Sequence, residues 1–415
     1  MKKGIANDIR LGIFTALLGA VCGAVIWLFL KAMELCTVFL WEAIPEKTGF
    51  SFTPLIVCTV LGLAAGLIRR RHGDYPEELP EVLGQIKREK HYDYSKMPVL
   101  LVCAFIPLVL GASVGPEAGL TGIIAGLCYW TGDNVKYAKE HSAEYSEIGA
   151  AVTLGSLFHV PLFGIFAVEE PAEGEDPQGY VMPKTSKLVL YGLSIAAAFL
   201  VMRGLGALLG PAGEGMPSYD YHEVHAADYA LLLAYIPAGI ILYKAFELSE
   251  KICGKAAGHI PAVARETLCG LAVGITAMLV PSVLFSGEDQ MALLPEAAAK
   301  AGAAALAGIC LLKIFMTAFC IRFGLKGGHF FPLIFACSCM GFALAALFPS
   351  GADAVFASAA VTAAALGAQM KKPLATTMLL LICFPLRLVL WILVAAAIGS
   401  KAGGLRRINK TSDIH

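Results

Sequence analysis

Apolar segments follow one another along almost the whole chain, at residues 11–40, 53–68, 98–112, 118–131, 148–168, 187–210, 229–246, 265–285, 301–321, 329–348, 354–369 and 373–399. No polar linker divides them into separate soluble domains. A perpendicular bilayer crossing takes about 20 apolar helical residues, and several of these segments fall well short. Those near 98–131 and 329–369 are also cut by Gly-Pro or Phe-Pro. Short, interrupted segments predict helices that stop part-way through a membrane, with backbone ends satisfied by protein, water or a bound ion. The expected fold is all-α and polytopic, with roughly 14–18 helices of varied length, some of them broken or re-entrant.

Composition agrees with that pattern. Of 415 residues, 57% are apolar and 15% charged, against about 45–50% and 25% in soluble domains. Lys+Arg and Asp+Glu balance at 32 each, and no basic stripe with interleaved aromatics offers a nucleic-acid surface. The 12 Cys are mostly single residues inside apolar segments, with no Cys-x-x-Cys pair and matching His or Cys pair. They read as small hydrophobes, and neither a metal nor a cofactor is expected. The run Leu11–Leu30 is longer than a signal-peptide core and reads as a retained first helix.

The loops orient the chain. Lys2, Lys3 and Arg10, the basic 69–96 loop (Arg69, Arg70, Arg71, Lys87, Arg88, Lys90, Lys96) and the tail (Lys401, Arg406, Arg407, Lys410) carry much of the positive charge. Segment 211–228 holds Glu214, Asp220, Glu223 and Asp228 and no Lys or Arg. The positive-inside rule puts both termini in the cytoplasm and 211–228 outside, as for an integral protein of a plasma (inner) membrane. The tail after the last apolar stretch is too short for a regulatory domain.

A repeat is visible within the chain. Ala150-Ala151-Val152-Thr153 precedes Pro161-Leu162, and Ala359-Ala360-Val361-Thr362 precedes Pro373-Leu374. An interrupted segment lies in front of each, one at Gly115-Pro116 and one at Phe331-Pro332. Two halves with matching broken helices suggest a transporter or channel with its site at their interface. We divide the chain into a first membrane repeat (1–210), a second (211–400) and a short cytoplasmic tail (401–415).

Three turns carry the candidate chemistry: His72-Gly73-Asp74-Tyr75-Pro76-Glu77, Gly111-Ala112-Ser113-Val114-Gly115-Pro116-Glu117-Ala118-Gly119, and Gly327-Gly328-His329-Phe330-Phe331-Pro332. A half-helix that begins inside a bilayer presents unpaired N–H groups and the positive end of its dipole, which suits an anion. Glycines permit close backbone approach, and a proline is tolerated in the first turn. None of the three turns contains Lys or Arg, although Arg71 and Lys326 border two of them.

In this order the turns resemble the signature of the CLC family of chloride channels and proton-coupled anion transporters. The third matches the family's Gly-x-Phe-x-Pro fully, at Gly328-His329-Phe330-Phe331-Pro332. Val160–Glu170, Leu284–Glu288 and the stretch around Lys372-Pro373-Leu374 also resemble their counterparts. The resemblance spans residues 10–400. It implies repeats of inverted topology and a homodimer with a pore in each subunit, in contact with lipid. It places the anion pathway at Gly73, Ser113, Val114, Gly115, Gly328, His329, Phe330 and Phe331.

The departures matter as much. The family's gating glutamate falls on Val114, its coordinating serine on Gly73, and no tyrosine follows Tyr243. Glu170 matches the internal proton-transfer glutamate, and Glu117 lies just beyond the proline, placed either to compensate or to cap its helix. Without a carboxylate at Val114 the resemblance implies passive conduction or uniport of an anion, chloride first. The alternatives are an anion/proton antiporter working through Glu117 or Glu170, a fluoride-selective transporter, and a non-conducting relative. No His-Glu-x-x-His or paired intramembrane Asp marks an enzyme.

Overall fold

The structure is a computed structural model that describes residues 2–73, 75–77, 81–82, 84–85, 93–134, 142–171, 184–213, 215–220, 224–348 and 352–408. The charged positions Asp74, Lys87, Arg88, Lys90, Glu214, Glu223 and Lys410, and most of the 169–177 loop, lie outside the described residues. The described chain is helical. Its helices are α1 (Lys2–Val38), α2 (Ile44–Thr48), α3 (Thr53–His72), α4 (Met97–Val109), α5 (Glu117–Asn134), α6 (Ser142–Leu157), α7 (Pro161–Glu169) and α8 (Lys184–Leu209). There follow α9 (Ala226–Ala257), α10 (Ala262–Leu279), α11 (Glu288–Arg322), α12 (Phe330–Ala346), α13 (Ala354–Met370), α14 (Pro373–Leu380) and α15 (Val389–Ile408).

Among the described residues, seven spans are long and apolar enough to cross a bilayer, while α4, α12 and α13 are shorter and apolar. The difference follows from surroundings. Helices α12 and α13 are buried on nearly every face, so they are hydrophobic all round. The long helices shield them and turn side chains such as Leu200, Leu208, Leu233 and Leu279 outward. With no solvent-driven force between helices in lipid, small residues set the contacts. A methyl on Gly62 of α3 would lie 2.6 Å from the Glu266 carbonyl of α10, so only glycine permits that approach.

Proline and glycine account for the breaks. Pro161 and Pro373 stand in the first turns of α7 and α14, where a missing N–H leaves no bond unmade. Helix α11 kinks at Gly302, whose φ of 74° is left-handed. The succession α5, α6, α7 of the first half recurs as α12, α13, α14 in the second, with the broken starts of α5 and α12 side by side.

Two polar clamps tie buried helices together. The buried guanidinium of Arg69 on α3 donates to the Glu266 carboxylate on α10 (3.1 Å) and to the Tyr75 carbonyl through Nε (2.8 Å) and Nη2 (2.6 Å). At the other end, wholly buried Asp228 accepts the His225 N–H (3.0 Å) at the start of α9 and the Asp353 N–H (2.9 Å) before α13.

Candidate anion site

The second and third sequence turns meet in the buried interior. Gly115 N–H donates to the Gly328 carbonyl at 2.7 Å, and Gly328 N–H donates back to Gly115 at 2.6 Å. This bridge holds the N-terminus of α5 against that of α12. A third segment joins through Phe285 N–H, which donates to the Gly111 carbonyl at 3.1 Å. Gly111 has φ 86°, and a Cβ there would stand 2.7 Å from the Trp41 ring, so the turn requires glycine.

The start of α12 is occupied. Glu117, with no exposed surface, extends its carboxylate to the other half, where Oε1 accepts the Phe330 N–H at 2.9 Å. The Phe331 N–H also acts on this carboxylate. A Cβ on Gly115 or Gly328 would overlap the same carboxyl, so both glycines are needed to make room for it. Its second oxygen, Oε2, is buried without a hydrogen-bond partner. Glu117 thus caps a helix, as one sequence reading allowed, and it does so at two starts: its own N–H, at the first residue of α5, and the Phe330 N–H of α12 both act on its carboxylate. A carboxylate held on these N–H groups stands where a free anion would bind.

The other residues expected to form the pathway separate into groups. Phe330 and Phe331 are buried, and the Phe331 ring stacks on Phe158 with centroids 4.3 Å apart. His329 precedes α12 and packs its imidazole against Phe246 (5.7 Å) and Phe330 (5.2 Å). Ser113 turns to Thr317, with hydroxyl oxygens 2.9 Å apart. Because Thr317 gives its proton to the Lys313 carbonyl, Ser113 is the donor of that pair and its hydroxyl hydrogen is already engaged. Val114 is 1% exposed and packs against Gly327, where an added Cβ would lie 2.6 Å from its Cγ2. Gly73 stands apart from all of these. It follows α3 with φ 109°, its N–H on the Arg69 carbonyl at 2.8 Å.

Glu170 lies at a different junction. Its carboxylate accepts the Leu374 N–H (3.0 Å) and the Ala375 N–H (2.7 Å), capping α14. Lys372 donates in return to the Ala167 carbonyl of α7 at 2.6 Å. The ends of α7 and α14 therefore cap each other across the two halves. Neighbouring Glu169 instead accepts from Tyr191 (2.6 Å) and pairs with Lys187 (2.7 Å).

Lys313 is a residue that sequence reasoning missed. Buried within α11, it donates from Nζ to the carbonyls of Val283 (3.0 Å), Leu284 (3.1 Å) and Phe285 (2.6 Å). It thereby fixes the 283–285 turn that meets Gly111. A lone cation inside the apolar run 301–321 was the available signal, because an intramembrane charge is costly and seldom idle. Among the described residues, no three His, Cys, Asp or Glu side chains come together as a metal site.

Residues 61–403 match the family model described as voltage gated chloride channel. Chloride channel protein CLC-e of Arabidopsis thaliana is 26% identical over 359 residues, covering 79% of this chain and 48% of that protein. Chloride channel protein CLC-f of the same plant is 22% identical, over 78% of this chain and 43% of that protein. The chain thus spans about half the length of these curated relatives. Solved structures share the fold at low identity. A CLC-type fluoride/proton antiporter superposes with TM-score 0.74 at 18% identity, covering 95% of this chain and 96% of the other. A slow cyanobacterial Cl⁻/H⁺ antiporter gives TM-score 0.75 at 17% identity, covering 96% and 94%. The family match over most of the membrane portion, on a fold whose broken helices meet at Gly115 and Gly328, makes this chain a member of the voltage gated chloride channel family.

Proposed function

We propose that this protein exchanges a small anion, chloride first, against protons, with Glu117 as the carboxylate that yields its place to the anion. The observation that carries this reading is the bond from Phe330 N–H at 2.9 Å to Oε1 of Glu117, a carboxylate with no exposed surface. An anion reaching those N–H groups must displace the carboxylate. A displaced carboxylate in so dry a place is far less costly with a proton on it. Anion entry and proton uptake are then linked. Passive conduction was expected from the sequence because Val114 cannot ionise; Glu117 supplies the missing carboxylate from three positions further on. Glu170, engaged in capping α14, is assigned a structural role here and not a place in the proton route. A homodimer with one pathway per subunit, two membrane repeats divided near residue 210, and cytoplasmic termini in a plasma membrane complete the proposal.

Purified protein in lightly buffered liposomes tests it. Chloride, fluoride, bromide and nitrate gradients are imposed in turn while external pH and anion efflux are recorded together. A chloride gradient is expected to drive protons uphill at a fixed ratio. Rapid chloride efflux with no proton movement, at a rate independent of pH, would return the protein to simple conduction.

A further inference from the structure

A cavity of about 240 Å³ lies between α9 and the end of α11. Glu247, Glu250, Lys251 and Gly254 line it from α9, and Arg322 lines it from α11. Arg322 Nη2 donates to Glu250 Oε1 at 2.9 Å, while Glu247 accepts the Tyr243 hydroxyl at 3.3 Å. Glu250 is therefore the cavity carboxylate that holds the guanidinium. The pair is not sealed away: the Arg322 side chain keeps 38% of its surface and that of Glu250 20%. Partly solvated ion pairs of this kind are weak and can change partners at small cost.

One stripe of α9 joins this cavity to the anion site. Phe246, Glu250 and Gly254 are spaced by four residues and so share a face of the helix. Along that face, Phe246 packs on the His329 imidazole with centroids 5.7 Å apart, and Glu250 holds Arg322. An added Cβ on Gly254 would meet Arg322 Cδ at 3.7 Å. His329 and Arg322 thus contact positions of α9 one turn apart, a spacing of about 5–6 Å. The residue after His329 is Phe330, whose N–H holds Glu117. Within 322–329, Arg322, Lys326 and His329 keep accessible surface and the residues between them are buried. The side chains that face this approach are therefore all basic. The fold also gives the cavity a side. Glu250 lies about 36 Å along α9 from Ala226, at about 1.5 Å per residue, so the cavity is remote from the acidic 211–228 segment. The two ends of α11 differ in the same sense, with Glu288 and Asp289 in its first turn and Arg322 in its last.

We propose that Arg322 receives the anion on its way to the start of α12, with Glu250 holding the guanidinium until the anion arrives. An anion in the cavity replaces the Glu250 carboxylate on Arg322, and the freed carboxylate turns to water. His329 and then the Phe330 N–H are the next groups along the stripe. The exchange at the mouth has the same form as the one proposed inside, where Glu117 yields the Phe330 N–H. This rests on that reading for the anion's destination. A guanidinium already shared with a carboxylate attracts the ion without trapping it, which transport requires.

The test measures chloride flux into liposomes over a range of chloride concentrations at constant ionic strength, for wild type, Arg322→Gln, Arg322→Lys and Glu250→Gln. Arg322→Gln is expected to raise the half-saturating chloride concentration about fivefold, the size of one partly solvated charge interaction, and to lower maximal flux by less. Glu250→Gln removes the competitor and is expected to lower the half-saturating concentration about threefold. Arg322→Lys keeps the charge and is expected to stay within about twofold of wild type; a Lys variant no better than Gln overturns the inference. A pair that only ties α9 to α11 would respond alike to loss of either partner. Shifts in the same direction for Arg322→Gln and Glu250→Gln, or no shift in either, therefore also overturn it. Should Arg322→Gln fail to purify folded, Glu250→Gln decides: a half-saturating concentration equal to or above that of wild type overturns the proposal. Isothermal titration of chloride into Glu117→Ala separates this route from its destination. Tighter binding there, with the mouth variants unmoved, means that the route alone is wrong. Wild-type binding there means that the Phe330 N–H is not the destination, and the route falls with it.

Discussion

Replacing Glu117 by alanine removes the competitor from the anion site while leaving its backbone donors in place. A hydrogen bond from an N–H to an ionised acceptor contributes about 1.5–3 kcal/mol. Glu117 makes one such bond, to Phe330 at 2.9 Å, with Phe331 N–H acting on it as well. Chloride entering the wild-type site must first break that contact. Without it, chloride binding at neutral pH should strengthen by about 2 kcal/mol, or about thirtyfold. The sign of the pH dependence follows. A protonated Glu117 no longer holds the N–H groups as an anion, so wild-type affinity should rise as pH falls, and chloride should in turn promote proton uptake. In Glu117→Ala that dependence should vanish. Isothermal titration of chloride into chloride-free protein at two pH values reads both effects. Thermal unfolding and the elution volume confirm that the variant is native. A folded Glu117→Ala that binds chloride no more tightly, and a wild type whose affinity ignores pH, would refute the reasoning.

Phe331→Ala should alter transport rate more than affinity, because it deletes the ring stacked on Phe158 and leaves the backbone N–H in place; flux assays and titration separate the two. Phe331→Pro removes that N–H, and in a sample that purifies as the native oligomer it should weaken chloride binding well beyond Phe331→Ala. Glu170→Gln should cost about 1 kcal/mol of stability as a weakened cap on α14 and leave the proton-to-chloride ratio unchanged; a changed ratio would restore Glu170 as a proton relay. Arg69→Met removes the close guanidinium from buried Glu266, leaving that of Arg265 at 3.8 Å, and should destabilise by up to about 3 kcal/mol, lowering the midpoint of unfolding in detergent. Adding Glu266→Met should recover most of that loss.

The membrane class, the helical architecture and the positions of the breaks were legible in the sequence, because each depends on local chemistry. An unbroken apolar run, without the alternation of a barrel strand, spans lipid as helix, and Pro116, Pro161, Pro332 and Pro373 mark helix starts through their own missing N–H. The turns around Gly115 and Gly328 were recognisable for the same reason. What fills a broken helix end is not a local property. Glu117 and Phe330 are 213 positions apart, and the carboxylate reaches that N–H only because two glycines without Cβ atoms leave room between paired backbones. Val114, which the resemblance aligns with the family's gate, packs against Gly327, and the carboxylate that reaches the start of α12 is that of Glu117, three positions on. Glu170 likewise reads, beside Glu169, as the counterpart of the family's proton-transfer glutamate, and only the packing of α14 beside α7 gives it the Leu374 and Ala375 N–H groups as partners. Composition and order specify which backbone groups are left unpaired. Tertiary packing alone decides which distant side chain satisfies them, because a hydrogen bond requires its atoms within about 3 Å, a proximity that separation along the chain does not encode.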